Sequence, residues 1–247
     1  MALKLALAPV ARECFTAPLL EQIIKDGLSF ITSLSSATLD IKWAPLKTDA
    51  HLSTYRTHYD NDTWIARVIR VHVDYDVIRR AMIDERILAE SEWLDGPKDT
   101  NEEMAVEEFE GKILVRDVRR FLHIQAFAGR EFLASVISKD LPETDGRRSS
   151  VVISLPIEGE MVSESDVRGK YISVEYIYEL ENGEVEILTG VCSDAGGSIP
   201  RWVQNMAMPG QIFNDGKRFI EYIRKQASRE RSRQWDRREE VSGRAAL

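Results

Sequence analysis

Cysteine is nearly missing from this chain: 247 residues hold only Cys14 and Cys192. Two thiols cannot build a disulfide framework, and neither has the neighbours of a metal-ligand set. A reducing compartment follows, and cytoplasmic localisation is the expectation. Histidine is scarce too. His51, His58, His72 and His123 form no His-Glu-x-x-His pattern, so no metal and no cofactor is expected. Long hydrophobic runs are lacking. The longest uncharged stretch, Gly27 to Leu39, is too short and too rich in Ser and Thr to span a bilayer. The apolar start, Leu5 to Ala11, is short for a secretory core and is broken by Pro9. A surplus of positive charge is lacking as well. Lys and Arg number 33 against 41 Asp and Glu, a formal net charge of −8. Phosphate-rich partners need a basic footprint, so generic nucleic-acid binding is excluded. No Gly-x-Ser-x-Gly, P-loop or Rossmann fingerprint is present. Gly196-Gly197 precedes a helix, but no Lys-Ser/Thr follows to hold a phosphate.

What is there reads as one α+β domain. Leu20, Ile23, Ile24, Leu28 and Ile31 recur at helical spacing, predicting a helix over Ala17 to Leu34 with Pro18 in its first turn. Strands follow near Asp40 to Trp43, His51 to Tyr59 and Thr63 to Val73, the last two joined by the turn residues Asp60-Asn61-Asp62. Asp74 can cap a helix over Tyr75 to Met82; a second short helix runs from Asp84 to Trp93 and ends at Gly96-Pro97. Consecutive strands are then expected at Met104 to Phe109, Lys112 to Leu122, Glu131 to Lys139, Ser149 to Ile157, Lys170 to Leu180 and Glu184 to Ser193. Glu110-Gly111 and Asn182-Gly183 mark hairpins, and meandering neighbours of this kind pair antiparallel. Helix resumes at Pro200 and reaches about Arg224, with Pro209-Gly210 predicting a kink or a restart. The Arg- and Glu-rich tail, 226–247, reads as a solvated helical extension that frays.

Four places carry a resemblance to the START (StAR-related lipid transfer) superfamily. Val71 to Ile78 is similar to its strand-to-helix step, and Glu92-Trp93-Leu94-Asp95 to its Trp-Asp element. Arg130-Glu131-Phe132 is similar to its Arg-Asp-Phe strand start, and Gly197 to Asn205 to its entry into the final helix. The likeness covers roughly Phe15 to Ile223 and is nearest to stand-alone START-like proteins of filamentous fungi. It implies the helix-grip fold, a curved antiparallel sheet wrapped around a long C-terminal helix. It also implies a ligand-binding domain over 15–225, a charged tail over 226–247, and a deep apolar cavity holding one hydrophobic molecule.

Period two along Lys170 to Leu180 sets Ile172, Val174, Tyr176 and Tyr178 on one face, expected inward, with the two hydroxyls as polar anchors. Along Lys112 to Leu122, Arg116 and Arg120 share the expected solvent side. Asp117 and Arg119 would point inward, pair, and offer a hydrogen-bond fork to a ligand. On the last helix Ile199, Trp202, Val203, Met206 and Phe213 form the expected lid. Phe127, in the segment His123 to Gly129, is a foothold for transient membrane contact if that segment gates the cavity. Each pattern has a plainer account as core packing or a solvated strand. The functional expectation is a carrier of one lipid or other hydrophobic small molecule. The alternatives are a cofactor-independent cyclase or isomerase acting on a polyketide-like substrate through Asp117, Arg119, Tyr176 or Tyr178, and a scaffold whose tail recruits a partner.

Overall fold

The structure, a computed structural model, describes residues 5–35, 41–94, 100–123 and 127–244, with side chains at 100 and 234–244 outside the description. Asp40, Asp95, Gly96-Pro97, Ile124 to Ala126 and the last three residues of the tail fall outside the described residues.

The first helix, α1 (Ala17–Thr32), buries Leu20, Ile23, Ile24, Phe30 and Ile31. Each is worth about 1.5–3 kcal/mol in removed apolar surface before chain entropy is counted. Three strands follow, β1 (Ala44–Thr48), β2 (Leu52–Tyr59) and β3 (Asp62–Val71). The expected strand at Asp40 to Trp43 is thus displaced onto Ala44–Thr48, where the chain pairs with β2 through a register shift at Pro45. Asp60 and Asn61, at φ 52° and 67°, make the two-residue turn between β2 and β3, the left-handed geometry that matches strand twist. Asp74 caps α2 (Tyr75–Arg79) by accepting the Asp76 N–H at 2.8 Å. The expected helix to Met82 gives way to a π-turn, Arg80–Asp84, before α3 (Arg86–Trp93).

Six further strands, β4 (Thr100–Phe109), β5 (Ile113–Leu122), β6 (Arg130–Thr144), β7 (Arg147–Pro156), β8 (Val167–Glu179) and β9 (Val185–Asp194), complete one nine-stranded sheet. Its order is β1-β2-β3-β9-β8-β7-β6-β5-β4. Pairing of these neighbours is antiparallel, and a short parallel contact joins the starts of β6 and β8. The sheet is curved, and α4 (Arg201–Arg244, 44 residues) lies along it. Helix α4 continues through Pro209, where a kink or restart was expected. Pro209 costs one intrahelical bond near the helix start, while Met208, Phe213, Phe219, Ile220 and Ile223 are buried along its length.

Both faces of the sheet are covered. Helix α1 and the N-terminal segment bury one face, with Trp64, Val115, Ile172 and Val174. Helices α2, α3 and α4 bury the other, with Ile69, Val118, Val136 and Ile177. We term these the outer and inner faces. Among the described residues no helix is long and apolar enough to cross a membrane.

Candidate ligand-binding site

Alternation along β3 turns Trp64 outward and Arg67 inward. Arg67 stands opposite Thr189 on β9, and Thr189 stands opposite Glu175 on β8. Residues directly opposite in a sheet share a face, so a polar row crosses the inner floor. Two residues earlier on β8, Ser173 faces Ser154 of β7 on the same floor. The π-turn closes with the Glu85 N–H on the Arg80 carbonyl at 2.8 Å, and Arg86 follows it immediately. Arg86 reaches down and grips Glu175 with both terminal nitrogens, at 2.9 and 2.8 Å. Its Nε holds Glu90 at 3.0 Å.

These charges are buried. Desolvation alone would raise the Glu175 carboxyl, but Arg86 outweighs it and holds the group below its ordinary 4.5. Burial lowers the Arg67 guanidinium, with only partial compensation from the charges of Glu175 and Asp215. Burial also pushes the Tyr171 hydroxyl up.

A space of about 40 Å³ lies here, walled by Arg67, Arg86, Glu175, Met82, Trp93 and Phe219. Beside it a groove of about 540 Å³ runs between α3 and the β4–β5 edge, past Ile87, Leu88, Leu94, Asn101, Arg116 and Arg120. Arg86 and Glu90 belong to both linings, so these two side chains form the partition. Gly216 lets α4 settle on the floor: a Cβ there would stand 2.9 Å from Leu52 Cδ2 and 3.4 Å from Arg67 Cδ.

The strand-to-helix entry is built around Arg130, which is 1% exposed. It donates to the carbonyls of Ala195 at 2.7 Å and Gly129 at 3.3 Å, and also to Ala128. One side chain thereby ties the β5–β6 segment to the turn before α4. Gly196 and Gly197 supply that turn at φ 63° and 64°. A Cβ on Gly196 would meet the Arg168 carbonyl oxygen at 2.6 Å. Gln204 locks the turn by accepting the Ala195 N–H at 2.8 Å and donating to the Ile199 carbonyl at 2.9 Å.

A family model described as "Protein of unknown function (DUF3074)" matches residues 64–223, from the floor of β3 to the buried part of α4. The chain belongs to this family. The DUF3074 region thus contains Arg67, Arg86, Glu175, Thr189, Arg130 and the Gly196-Gly197 turn, and leaves out α1 and the end of α4. No curated protein matches the sequence. Among solved structures the fold is that of human StAR-related lipid transfer protein 5, with TM-score 0.64 and 13% identity over 87% of this chain and 100% of that one. Human STARD10 gives TM-score 0.57 and 15% identity over 80% of each chain. A STAR-related lipid transfer protein from Xanthomonas axonopodis gives TM-score 0.57 and 15% identity over 74% of this chain and 98% of that one. This DUF3074 member therefore has the START helix-grip fold.

The expected ligand residues are dispersed. Tyr176 and Tyr178 stack at 4.7 Å and pack against the outer core, where the Tyr178 hydroxyl donates to Glu186. Asp117 also faces outward, accepting from Arg12 at 2.9 Å and from Ser135. Arg119 pairs with Glu131 at 3.2 Å rather than with Asp117. Arg116 and Arg120, expected in solvent, line the groove, with Arg116 donating to the Ile83 carbonyl at 2.7 Å. The residues expected inward on β5 and β8 are buried or half-buried, but under α1; the opposite face, expected in solvent, is buried too, under α2, α3 and α4. Trp202 and Met206 are 66% and 72% exposed, and Val203 is exposed beside them. Ile199 is half-buried in the turn. Phe213 alone reaches the inner core, with Lys47 4.1 Å above its ring.

Arg67, Arg86, Glu175 and Thr189 escaped the sequence reading. The signal for Arg67 and Glu175 was charge inside strands that are otherwise apolar, as in Trp64-Ile65-Ala66-Arg67-Val68-Ile69; Arg86, on α3, and the uncharged Thr189 had none.

Proposed function

We propose that this protein binds one hydrophobic or amphipathic small molecule, a lipid or a molecule like it, between the inner face of the sheet and α4. It acts as a carrier rather than as a catalyst. One observation carries the reading. The sheet, α3 and α4 line a polar-floored space that shares Arg86 and Glu90 with a neighbouring groove of about 540 Å³, within the usual size of small-molecule sites. The polar-floored space of about 40 Å³ is far smaller than a whole lipid. Loading therefore requires Arg86 and Glu90 to swing aside and Met82, Trp93 and Phe219 to repack. Lipid transfer in the names of the two StAR-related neighbours supports the same reading. The cyclase alternative loses its geometry, since Asp117, Arg119, Tyr176 and Tyr178 point away from this space and into separate contacts.

The membrane-facing end in this reading is the start of α4. Trp202 and Met206 stand exposed there, and Phe127, 50% exposed, belongs to the segment that Arg130 ties to the same turn. Trp favours the membrane–water boundary. The ligand-binding domain spans 15–225, and the Arg- and Glu-rich end of α4 is an appendage to it.

Native mass spectrometry of the recombinant protein, followed by solvent extraction, tests the carrier reading. The expected result is one co-purified amphipathic molecule per chain and transfer of it between vesicles. An empty protein that accepts no lipid from vesicles refutes the reading. Trp202→Ser with Met206→Ser should lower vesicle flotation without changing the melting temperature.

A further inference from the structure

The inner floor holds a concentration of unsatisfied polar atoms. Arg56 Nε, Arg67 Nε, Ser173 Oγ and Thr189 Oγ1 are all buried without a hydrogen-bond partner among the described residues. They lie on adjacent strands of one face, as the pairings Arg56–Ile65, Arg67–Thr189 and Ser173–Ser154 require. Native proteins leave few buried polar groups unpaired, and each such group calls for a partner or a role. Arg67 is the most demanding of them. It is 7% exposed, it has donors and no acceptor, and the neighbouring carboxylate of Glu175 has both oxygens taken by Arg86.

We propose that the bound molecule ends in a carboxylate, which Arg67 receives on the inner floor with the Thr189 hydroxyl beside it. This rests on the ligand-binding reading above and names the class of ligand: a single-ended amphiphile with an acidic head and an apolar body. A planar guanidinium fork matches a carboxylate, and desolvation strengthens the pair. The space is of the right size. About 40 Å³ accommodates a group of about three heavy atoms, on a scale where one water needs about 10–15 Å³. Beyond that group the wall turns apolar at Met82, Trp93 and Phe219, and the body leaves past Arg86 toward Ile87 and Leu88. The acidic head sits innermost because the unmet donors are there.

The test compares palmitic acid with methyl palmitate, probes of equal chain length, by fluorescence displacement at neutral pH. Wild type should bind the acid at least about tenfold more tightly than the ester. Arg67→Met should erase that preference by weakening acid binding at least about tenfold. Because Arg67 Nε is buried without a partner among the described residues and burial disfavours the guanidinium charge, the variant should also melt at or above the wild-type temperature. Arg67→Gln gives the same comparison should the Met variant misfold. Equal binding of acid and ester by wild type overturns the carboxylate proposal and leaves the ligand-binding reading intact; that outcome means water satisfies Arg67. Binding of neither probe, together with an empty recombinant protein, overturns both.

Discussion

Glu175→Gln should destabilise the protein more than Arg86→Met, although the two remove opposite ends of one ion pair. Four buried or nearly buried charges meet here: Arg67, Arg86, Glu175 and Glu90. Without Glu175, Arg86 keeps Glu90 at 3.0 Å, but Arg67 loses the carboxylate that most offsets its burial. The buried cation then keeps only the weaker offsets of Asp215 and Glu90, at a cost of about 3–5 kcal/mol. Without Arg86, Glu175 can turn to Arg67, and the group left over is Glu90. Its side chain is 16% exposed at the groove edge, so its loss of a partner costs about 1–3 kcal/mol. For a chain of this size 1 kcal/mol moves the melting temperature by about 2–4 °C, so Glu175→Gln should lower it by about 6–20 °C. Urea unfolding checks this, with the midpoint read at unchanged slope. Glu175→Gln within about 1 kcal/mol of wild type, or Arg86→Met costing more than Glu175→Gln, would refute the reasoning.

Gly196→Ala should cost about 1–3 kcal/mol, from its φ of 63° and the Arg168 carbonyl in its way. Gly183→Asn, at φ 78° with open space around it, should be near neutral. Urea midpoints separate the two. Arg130→Lys keeps a charge but loses the fork that binds Ala128, Gly129 and Ala195, and should cost about 2 kcal/mol. Proteolysis of the wild type and variant should then diverge at 127–129 and 195–200. Acid should weaken the fold in a predictable window. Glu175 and Asp140 both sit below their ordinary 4.5 and 3.8, since Arg86 in one case and Arg79 with Ser150 in the other outweigh desolvation. Lowered carboxyls stabilise fully above their unfolded values and lose that contribution as pH falls toward and through the folded ones. The urea midpoint should hold between about pH 7 and 5 and drop below about pH 4, with a shallower acid limb in Glu175→Gln.

Hairpin turns were legible because turn chemistry is local. Asp60-Asn61, Glu110-Gly111 and Gly183 all adopt the positive φ that their residue types announce. The interior was not legible, for two physical reasons. Period two separates a buried face from a wet one, and this sheet has no wet face across its centre. Ile172 and Val174 pack under α1, while Ile177, on the opposite face of the same strand, packs under α2–α4. Charge was also sent to solvent by default, which hid Arg67 and Glu175. The same default sent Trp202 and Met206 inward, although only the placement of α4 decides which of its turns meet the sheet.

The residues alone determined the order of elements, the antiparallel meander, the Gly-Gly entry and the long closing helix. Each depends on spacing and backbone preference over a few neighbours. Which face of the sheet holds a ligand, and which side chains stand on its floor, was decided by the docking of α1 on one side and α4 on the other. Those contacts join residues more than a hundred positions apart, and burial by a distant helix leaves no mark on the local pattern of a strand.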